Sequence, residues 1–599
     1  MVIINLFSKN KLFLLLILIL LCYQSLLSWE YFNYRIKKNV MVRMSDGIYL
    51  ACDLYLPVKK QKYPVIFNRT PYNKENLGSS LGKYFAQRGY AVVVQDSRGK
   101  FASEGIFLPL INDGKDAKET MDWIGKQYWC NGKVGFWGSS YSSHSGFYLG
   151  AINHPLLKTM VNVAGAGDIK PFLYPGGTLH LMATLPWALF AEGKSQQSLS
   201  DIDIDKLFST VPLSKAISTE SIKPNIWSLF TDERLNRKLK QRISIAERYG
   251  NIDIPIFHVL GWNDMMYRSS LYVYQKIKDS DEDCNNYPLQ KIIIGPWHHD
   301  QQWTEETKVG DEDFGPLAKM GKERILEASE QWFDYWLKGI NNKIIEEYPV
   351  KYFVMGKNEW REKTEFPPIN VKKQYWYLSS KEGANSLYGD GFLSSDYDEL
   401  NRKLLSESPS KDSDSFIYDP LNPVPTRGGV NFHFFKDNLG IKDQQYIEKR
   451  KDVLVFTSEP LPEDMEIIGP IKTVLYVSTE GRDTDFTAKL VEVRPDGYAR
   501  IIEDGIIRLS RRNSLHKTEK VIPGKVYHIS IDLGATAILI KKDHRLRLEV
   551  SSSNFPKYSR NPNTGEDPLK ARIFKKVRQT VYHNKKYPSC VVLPILKGK

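Results

Sequence analysis

The sequence predicts an α/β protein: a doubly wound, mostly parallel sheet interrupted by a helical cap and followed by a C-terminal β-sandwich. Three observations carry that reading. Short apolar runs alternate with segments of helical spacing through the first half of the chain, the signature of strands covered on both faces by helices. The alternation lapses between Asp168 and Asn251. Past about Pro368 the pattern changes to repeated short strands divided by Gly, Pro and Asp turns, which is how a sandwich reads.

Taken in order, the chain begins with Lys9 and Lys11 ahead of the apolar run Leu12–Leu21. That run is short for a membrane span and suits the core of an export signal. Residues 1–28 are therefore expected to be a leader. Leu26 is large for a cleavage site after Ser28, so an uncleaved anchor over residues 12–28 stays open, whereas Leu21 disfavours a lipid-modified Cys22. The protein is expected to be exported, secreted or periplasmic.

Val40–Leu56 has period-two stretches around Ser45-Asp46-Gly47 and reads as an antiparallel hairpin. Pro64–Phe67, Ala91–Val94, Val134–Phe136, Met160–Val163, Pro255–Leu260 and Lys291–Ile294 read as sheet strands, and Asp116–Ile124 as one of the helices between them. The sheet domain is thus expected over 29–167 and 252–368, with the cap over 168–251. Within the cap, Thr178–Phe190 and Ile217–Arg248 have helical character, and Trp187, Phe190 and Trp227 suit an apolar pocket, although packing is the ordinary role for any one of them. The sandwich takes 369–599, with strands at Val453–Phe456, Thr473–Val477, Val526–Ile531 and Leu546–Val550. The Ser/Asp-rich stretch Ser406–Ser415 reads as an exposed loop.

The chemistry concentrates at three strand ends. Val134–Tyr141 reads as a buried strand ending in a Gly-x-Ser turn that runs into a helix. Such a turn lifts the Ser140 hydroxyl off the sheet and aims the first helical N–H groups at an oxyanion beside it. The strand at Pro255 leads into Gly261-Trp262-Asn263-Asp264, and the strand at Lys291 into Gly295-Pro296-Trp297-His298-His299. Serine, aspartate, histidine is the chain order of α/β-hydrolase triads, and all three fall at carboxyl ends of strands, where open α/β sheets build sites.

These segments, with Arg69-Thr70-Pro71-Tyr72, Gln95-Asp96-Ser97-Arg98-Gly99, Ser103-Glu104-Gly105, Phe333–Gly339, Asp483–Phe486 and Ser551–Pro556, resemble the serine hydrolases that include cocaine esterase, X-prolyl dipeptidyl-peptidases and α-amino-acid ester hydrolases. The resemblance covers nearly the whole chain after the leader. It implies an α/β-hydrolase domain with a jelly-roll C-terminal domain, the latter read as closing one side of the cleft. It also implies Ser140 as nucleophile, His299 as base and Asp264 as its orienting partner, with the Tyr141 N–H and the Tyr72 phenol as oxyanion donors. The Gly-Pro-Trp-x-His pattern selects His299 over His298. Asp96 and Arg98 are expected to form a buried ion pair bracing the loop beside the site. Cys52 and Cys130, in family-like strand and turn contexts, are expected to be buried free thiols.

The sequence departs from these relatives in two places. Ser143 stands where a glycine is usual, and Met265, Met266 and Tyr267 stand where the amino-acid ester hydrolases keep carboxylates for a substrate ammonium. Asp168 is the nearest replacement carboxylate, and a helix cap is its ordinary role.

The chain has 599 residues and a formal charge of +13 spread without a basic block. That room suits two or three domains, and no nucleic-acid module is visible. His298-His299-Asp300 lacks further ligands at metal spacing, so no metal and no cofactor are expected. The expected partner is a small-molecule ester, amide or short peptide, with homo-oligomer formation left open. Esterase, acylase and dipeptidyl-peptidase activities share the same machinery. The second reading is a catalytically silent exported surface-binding protein that works through its sandwich domain.

Overall fold

The computed structural model describes residues 32–217, 225–242, 244–279, 290–396, 411–432, 438–515 and 517–597. The expected leader over residues 1–28, Cys22 and Cys284 lie outside the described residues.

Strands that carry apolar side chains at nearly every position must be covered on both faces. β3 (Tyr63–Thr70) and β4 (Ala91–Asp96) are buried along their whole length. With β1 (Tyr34–Arg43), β2 (Tyr49–Pro57), β5 (Cys130–Ser139), β6 (Leu157–Val163), β7 (Ile256–Gly261) and β8 (Gln290–Gly295) they form a ten-stranded sheet in the order β1-β2-β4-β3-β5-β6-β7-β8, continued by Val350–Val354 and Glu359–Lys363. The β1–β2 hairpin and the β2–β4 pair are antiparallel. From β4 to Val350–Val354 every neighbouring pair is parallel. This is the doubly wound, mostly parallel sheet that the alternation predicts, in the form of the α/β-hydrolase domain that the resemblance implies, and the helix Asp113–Gly125 covers the predicted Asp116–Ile124.

Between β6 and β7 the chain makes helices at Ile169–Leu173, Leu181–Phe190, Ile204–Ser209, Asn225–Thr231 and Glu233–Arg242. Their apolar faces join a core that runs on into the C-terminal domain, from Leu185, Ile226 and Leu239 to Phe486, Ile531 and Leu548. Strands from Val371 onward belong to a separate eleven-stranded β arrangement, in which a single pair, Phe392 with Thr457, links Phe392–Ser394 to Leu454–Thr457. All four strands read there from the sequence are present, at Leu454–Thr457, Met465–Thr479, Tyr527–Ile540 and Arg545–Ser551.

The Ser/Asp-rich stretch needs correction. Residues 406–410 lie outside the described residues, but Ser413–Tyr418 is a strand paired with Val577–Tyr582. Asp414, Phe416 and Tyr418 face inward and Ser413 and Ser415 outward, so polar composition concealed a period-two pattern. Cys52, Cys130 and Cys590 are buried free thiols. Among the described residues no helix is long and apolar enough to cross a membrane.

Candidate active site

The three predicted residues meet at the carboxyl edge of the parallel strands. Ser140 follows β5 with φ of 53°, a left-handed backbone that a non-glycine residue adopts only when its surroundings enforce it. Enforcement comes from close packing: a Cβ on Gly138 would stand 2.6 Å from the Ser143 Cα, so only glycine lets the turn fold back on the helix. Ser143 itself is buried, and its hydroxyl occupies space left by Gly165, whose Cβ would come within 2.1 Å of it. The unusual serine is therefore accommodated by a neighbouring glycine.

The other two turns brace each other. Trp262 N–H donates to the Gly295 carbonyl at 2.8 Å, and Asn263 N–H to the Trp297 carbonyl at 3.0 Å. Gly261 is required because a Cβ there would lie 2.2 Å from the Trp297 oxygen. Buried indoles lock the outer sides, Trp262 donating to the Phe353 carbonyl and Trp297 to that of Ala318. The consequence is a fixed distance between Asp264 and His299.

Ser140 Oγ lies 2.9 Å from His299 Nε2, and His299 Nδ1 lies 2.9 Å from Asp264 Oδ1. Asp264 is fully buried and also accepts from the Met266 N–H at 2.8 Å. Burial opposes charge on the His299 ring, but the Asp264 carboxylate and its hydrogen bond, with Asp300 adding, hold its pKa above the ordinary value. His298 turns away, its Nδ1 accepting from the Asp300 N–H at 3.4 Å.

Tyr72 follows β3 on the same edge. The Trp187 indole donates to the Tyr72 oxygen at 2.8 Å, which leaves the phenolic hydrogen available to a further acceptor. Burial pushes the Tyr72 pKa up, so the phenol keeps that hydrogen. Tyr141 sits in the first turn after Ser140, where helix geometry supplies no acceptor for the backbone N–H. Its ring stacks on Trp187 at 5.4 Å and 18°, and its hydroxyl is pinned by Asp113 and by the Leu110 N–H.

Ser140, His299, Tyr72 and Tyr141 open into one cavity of about 290 Å³. Cap residues Leu173, Trp187, Phe190 and Leu229 contribute walls, as do Met265 and Met266 beside the aspartate. Trp187 and Phe190 are thus pocket residues, while Trp227 is buried core. Asp168 caps the helix Ile169–Leu173 and accepts from Ser244 and Tyr249. It lies outside this cavity, leaving Asp300 as its one carboxylate among the described residues.

The Asp96–Arg98 pair does not form. Arg98 binds Asp116 and Asp46 instead, and Asp96 binds Lys74. Asp96 is the last residue of β4 and Arg98 lies in the turn beyond it, so the two leave the sheet in different settings and each finds a partner on another element. Sequence reading also missed Phe432, which reaches the cavity from the C-terminal domain with its ring 6.2 Å from His299; no local pattern marks a residue that only domain docking brings in. Trp187 as donor to Tyr72 was equally invisible, because the two lie 115 positions apart.

The chain is similar to known proteins along nearly its whole length. Residues 46–301 match the family described as X-Pro dipeptidyl-peptidase (S15 family), and residues 342–592 the X-Pro dipeptidyl-peptidase C-terminal non-catalytic domain. The cocaine esterase of Rhodococcus sp. (strain MB1 Bresler) is 33% identical over 590 residues, covering 94% of this chain and 99% of that protein. Among solved structures, an aminopeptidase from a marine sediment Thaumarchaeota archaeon superposes with TM-score 0.75 at 22% identity, covering 94% of this chain and 97% of that one. An α-amino acid ester hydrolase gives TM-score 0.75 at 22% identity, covering 94% and 96%.

Proposed function

The chain belongs to the S15 family of serine hydrolases together with cocaine esterase, and from that premise we propose that it is an exported esterase acting on a neutral ester with an apolar acyl group. The observation that carries the preference is the lining of the cavity. Apart from Asp300, beside the histidine, its walls are apolar, aromatic or uncharged polar. A dipeptidyl-peptidase must hold a substrate ammonium, and a charge taken from water needs a paired anion. The positions just after Asp264, where the notable alternative would be carboxylates, are Met265 and Met266.

In this reading Ser140 Oγ attacks the ester carbonyl while His299 Nε2 takes its proton. Asp264 fixes the tautomer of the ring and stabilises the imidazolium. The developing oxyanion is held by the Tyr141 N–H and the Tyr72 hydroxyl. His299 then returns the proton to the leaving alcohol, and water repeats the sequence on the acyl-enzyme. The leader read at Leu12–Leu21 would carry the enzyme out of the cytoplasm.

A panel of p-nitrophenyl acetate, p-nitrophenyl butyrate, an amino-acid ester and an Xaa-Pro-nitroanilide tests the assignment. The neutral esters should be turned over best, and fluorophosphonate should label Ser140. Preference for the Xaa-Pro substrate would replace the esterase reading with a peptidase one, and absence of both turnover and labelling would remove the hydrolytic reading. Fractionation of expressing cells tests export.

A further inference from the structure

Two adjoining hollows of about 330 and 290 Å³ lie between the cap and the C-terminal domain, and both are walled by Tyr174, Gly177, Lys240 and Arg511. The first also contains Asp483, Arg508, Glu566 and Asp567. The second contains Lys170, Arg237, Lys240 and Arg511 and no carboxylate among the described residues. Gathering like charges around one cavity is unfavourable unless something neutralises them.

The hollow is built. At Gly176, φ is 54° and a Cβ would stand 1.9 Å from the Ile506 carbonyl oxygen, so only glycine lets this turn close on the C-terminal domain. At Gly177, φ is 84° and a Cβ would meet the Arg511 Cγ at 2.6 Å, so the arginine stem lies directly on the turn. Lys240 stands 5.1 Å from the centre of the Tyr174 ring, whose hydroxyl is itself fixed by Asn236 at 2.9 Å. Arg237, Lys240 and Arg511 have no carboxylate partner among the described residues. Burial, together with the charge of Arg508, holds Arg511 below its ordinary pKa despite Asp483; burial and Arg511 do the same to Lys240 despite Asp567.

We infer that the second hollow is a binding site for a soluble phosphate-bearing small molecule, held by Arg511 and Lys240 with Lys170 and Arg237 around it. A guanidinium fork matches phosphate oxygens, and a half-open hollow recessed between the cap and the C-terminal domain suits a small ligand in place of a flat anionic surface. The site lies next to the substrate cavity without belonging to it. Phe230 lines both the substrate cavity and the first hollow, and the helix Glu233–Arg242 presents Leu239 to the substrate cavity and Lys240 to the second hollow. A bound phosphate would therefore tie the cap to the C-terminal domain beside the acyl pocket.

The test uses the full chain with inorganic phosphate as probe, against chloride at equal ionic strength. Phosphate should bind saturably in calorimetry and raise Tm by about 1–2 °C at saturating concentration. Arg511→Ala and, separately, Lys240→Ala should lose both responses, while Lys238→Ala, on the same helix outside the hollow, keeps them. Far-UV circular dichroism and Tm without phosphate should be unchanged in all three, which shows that each is folded and makes the result independent of the esterase assignment. A response no greater than that to chloride, or one that survives in both Arg511→Ala and Lys240→Ala, would overturn the site.

Discussion

Two clusters of serine, histidine and aspartate stand out among the described residues, and their geometries differ. In the C-terminal domain Ser380 Oγ donates to Asp414 Oδ2 at 2.8 Å, and His583 Nε2 lies 3.0 Å from that same oxygen and 3.5 Å from Ser380. One ring nitrogen thus faces both partners, so the imidazole cannot hold an acid on one side and relieve the serine of its proton on the other. All three side chains are buried. At the strand edge the two ring nitrogens of His299 are divided between Ser140 and Asp264, and Ser140 opens into a cavity. Residue types alone do not distinguish the clusters; ring orientation, access and the strained backbone of Ser140 do.

The largest expected effect separates them by function. Ser140→Ala should lower kcat on a p-nitrophenyl ester by on the order of 10⁴-fold or more and abolish fluorophosphonate labelling. Ser380→Ala should leave both within about twofold of wild type. Labelling at Ser380, or turnover that survives loss of Ser140, would break the comparison.

A smaller effect tests what the reactive cluster has and the buried one lacks, an oxyanion donor facing the cavity. Tyr72→Phe removes a hydroxyl already positioned by Trp187. Loss of such a donor typically costs about 3–4 kcal/mol of transition-state stabilisation. We expect kcat to fall by about a hundredfold or more with KM little changed and the far-UV circular dichroism intact. Near wild-type kcat would assign the oxyanion to backbone donors alone.

Much of this was legible in the sequence, for identifiable reasons. Strands buried on both faces announce themselves as apolar runs, and the Gly-x-Ser, Gly-Trp-Asn-Asp and Gly-Pro-Trp-x-His turns keep glycine where backbone crowding demands it, so Ser140, Asp264 and His299 could be named in advance. Contacts between distant segments were not legible. Arg98 finds Asp116 and Asp46, Phe432 crosses from another domain, and Trp187 meets Tyr72 because the cap folds over β3. The strand at Ser413–Tyr418 was concealed by its outward serines and by an inward aspartate that is satisfied by His583 and Ser380. An aspartate in a polar run looks exposed until its distant partners are known.

The smallest effects sharpen the comparison along the pH axis. His299 must be neutral to accept the Ser140 proton, and its pKa is held above the ordinary 6.5 against the opposing effect of burial. The acid limb of kcat/KM should therefore have its midpoint above about 6.5, with activity lost as pH falls through it. Asp414 behaves in the opposite sense. Burial alone would raise its pKa, but the His583 hydrogen bond and charge, with Ser380 and the Ala384 N–H, bring it below the ordinary carboxylate value. A carboxyl depressed on folding contributes stability above its unfolded pKa, about 3.9, and loses that contribution as pH falls through the folded pKa. Near pH 5 the reactive cluster should thus be silenced by protonation of His299 while the buried cluster still supports its domain. Activity lost there should return fully on raising the pH, with Tm lowered little by Asp414. Ser380→Ala, which removes one buried hydrogen bond and leaves His583 on the carboxylate, should cost about 1–2 kcal/mol in denaturant unfolding at pH 7. A pH–rate profile beside a pH–Tm profile reads both clusters in one preparation, and coincident midpoints would show that acid inactivation is unfolding and not titration of His299.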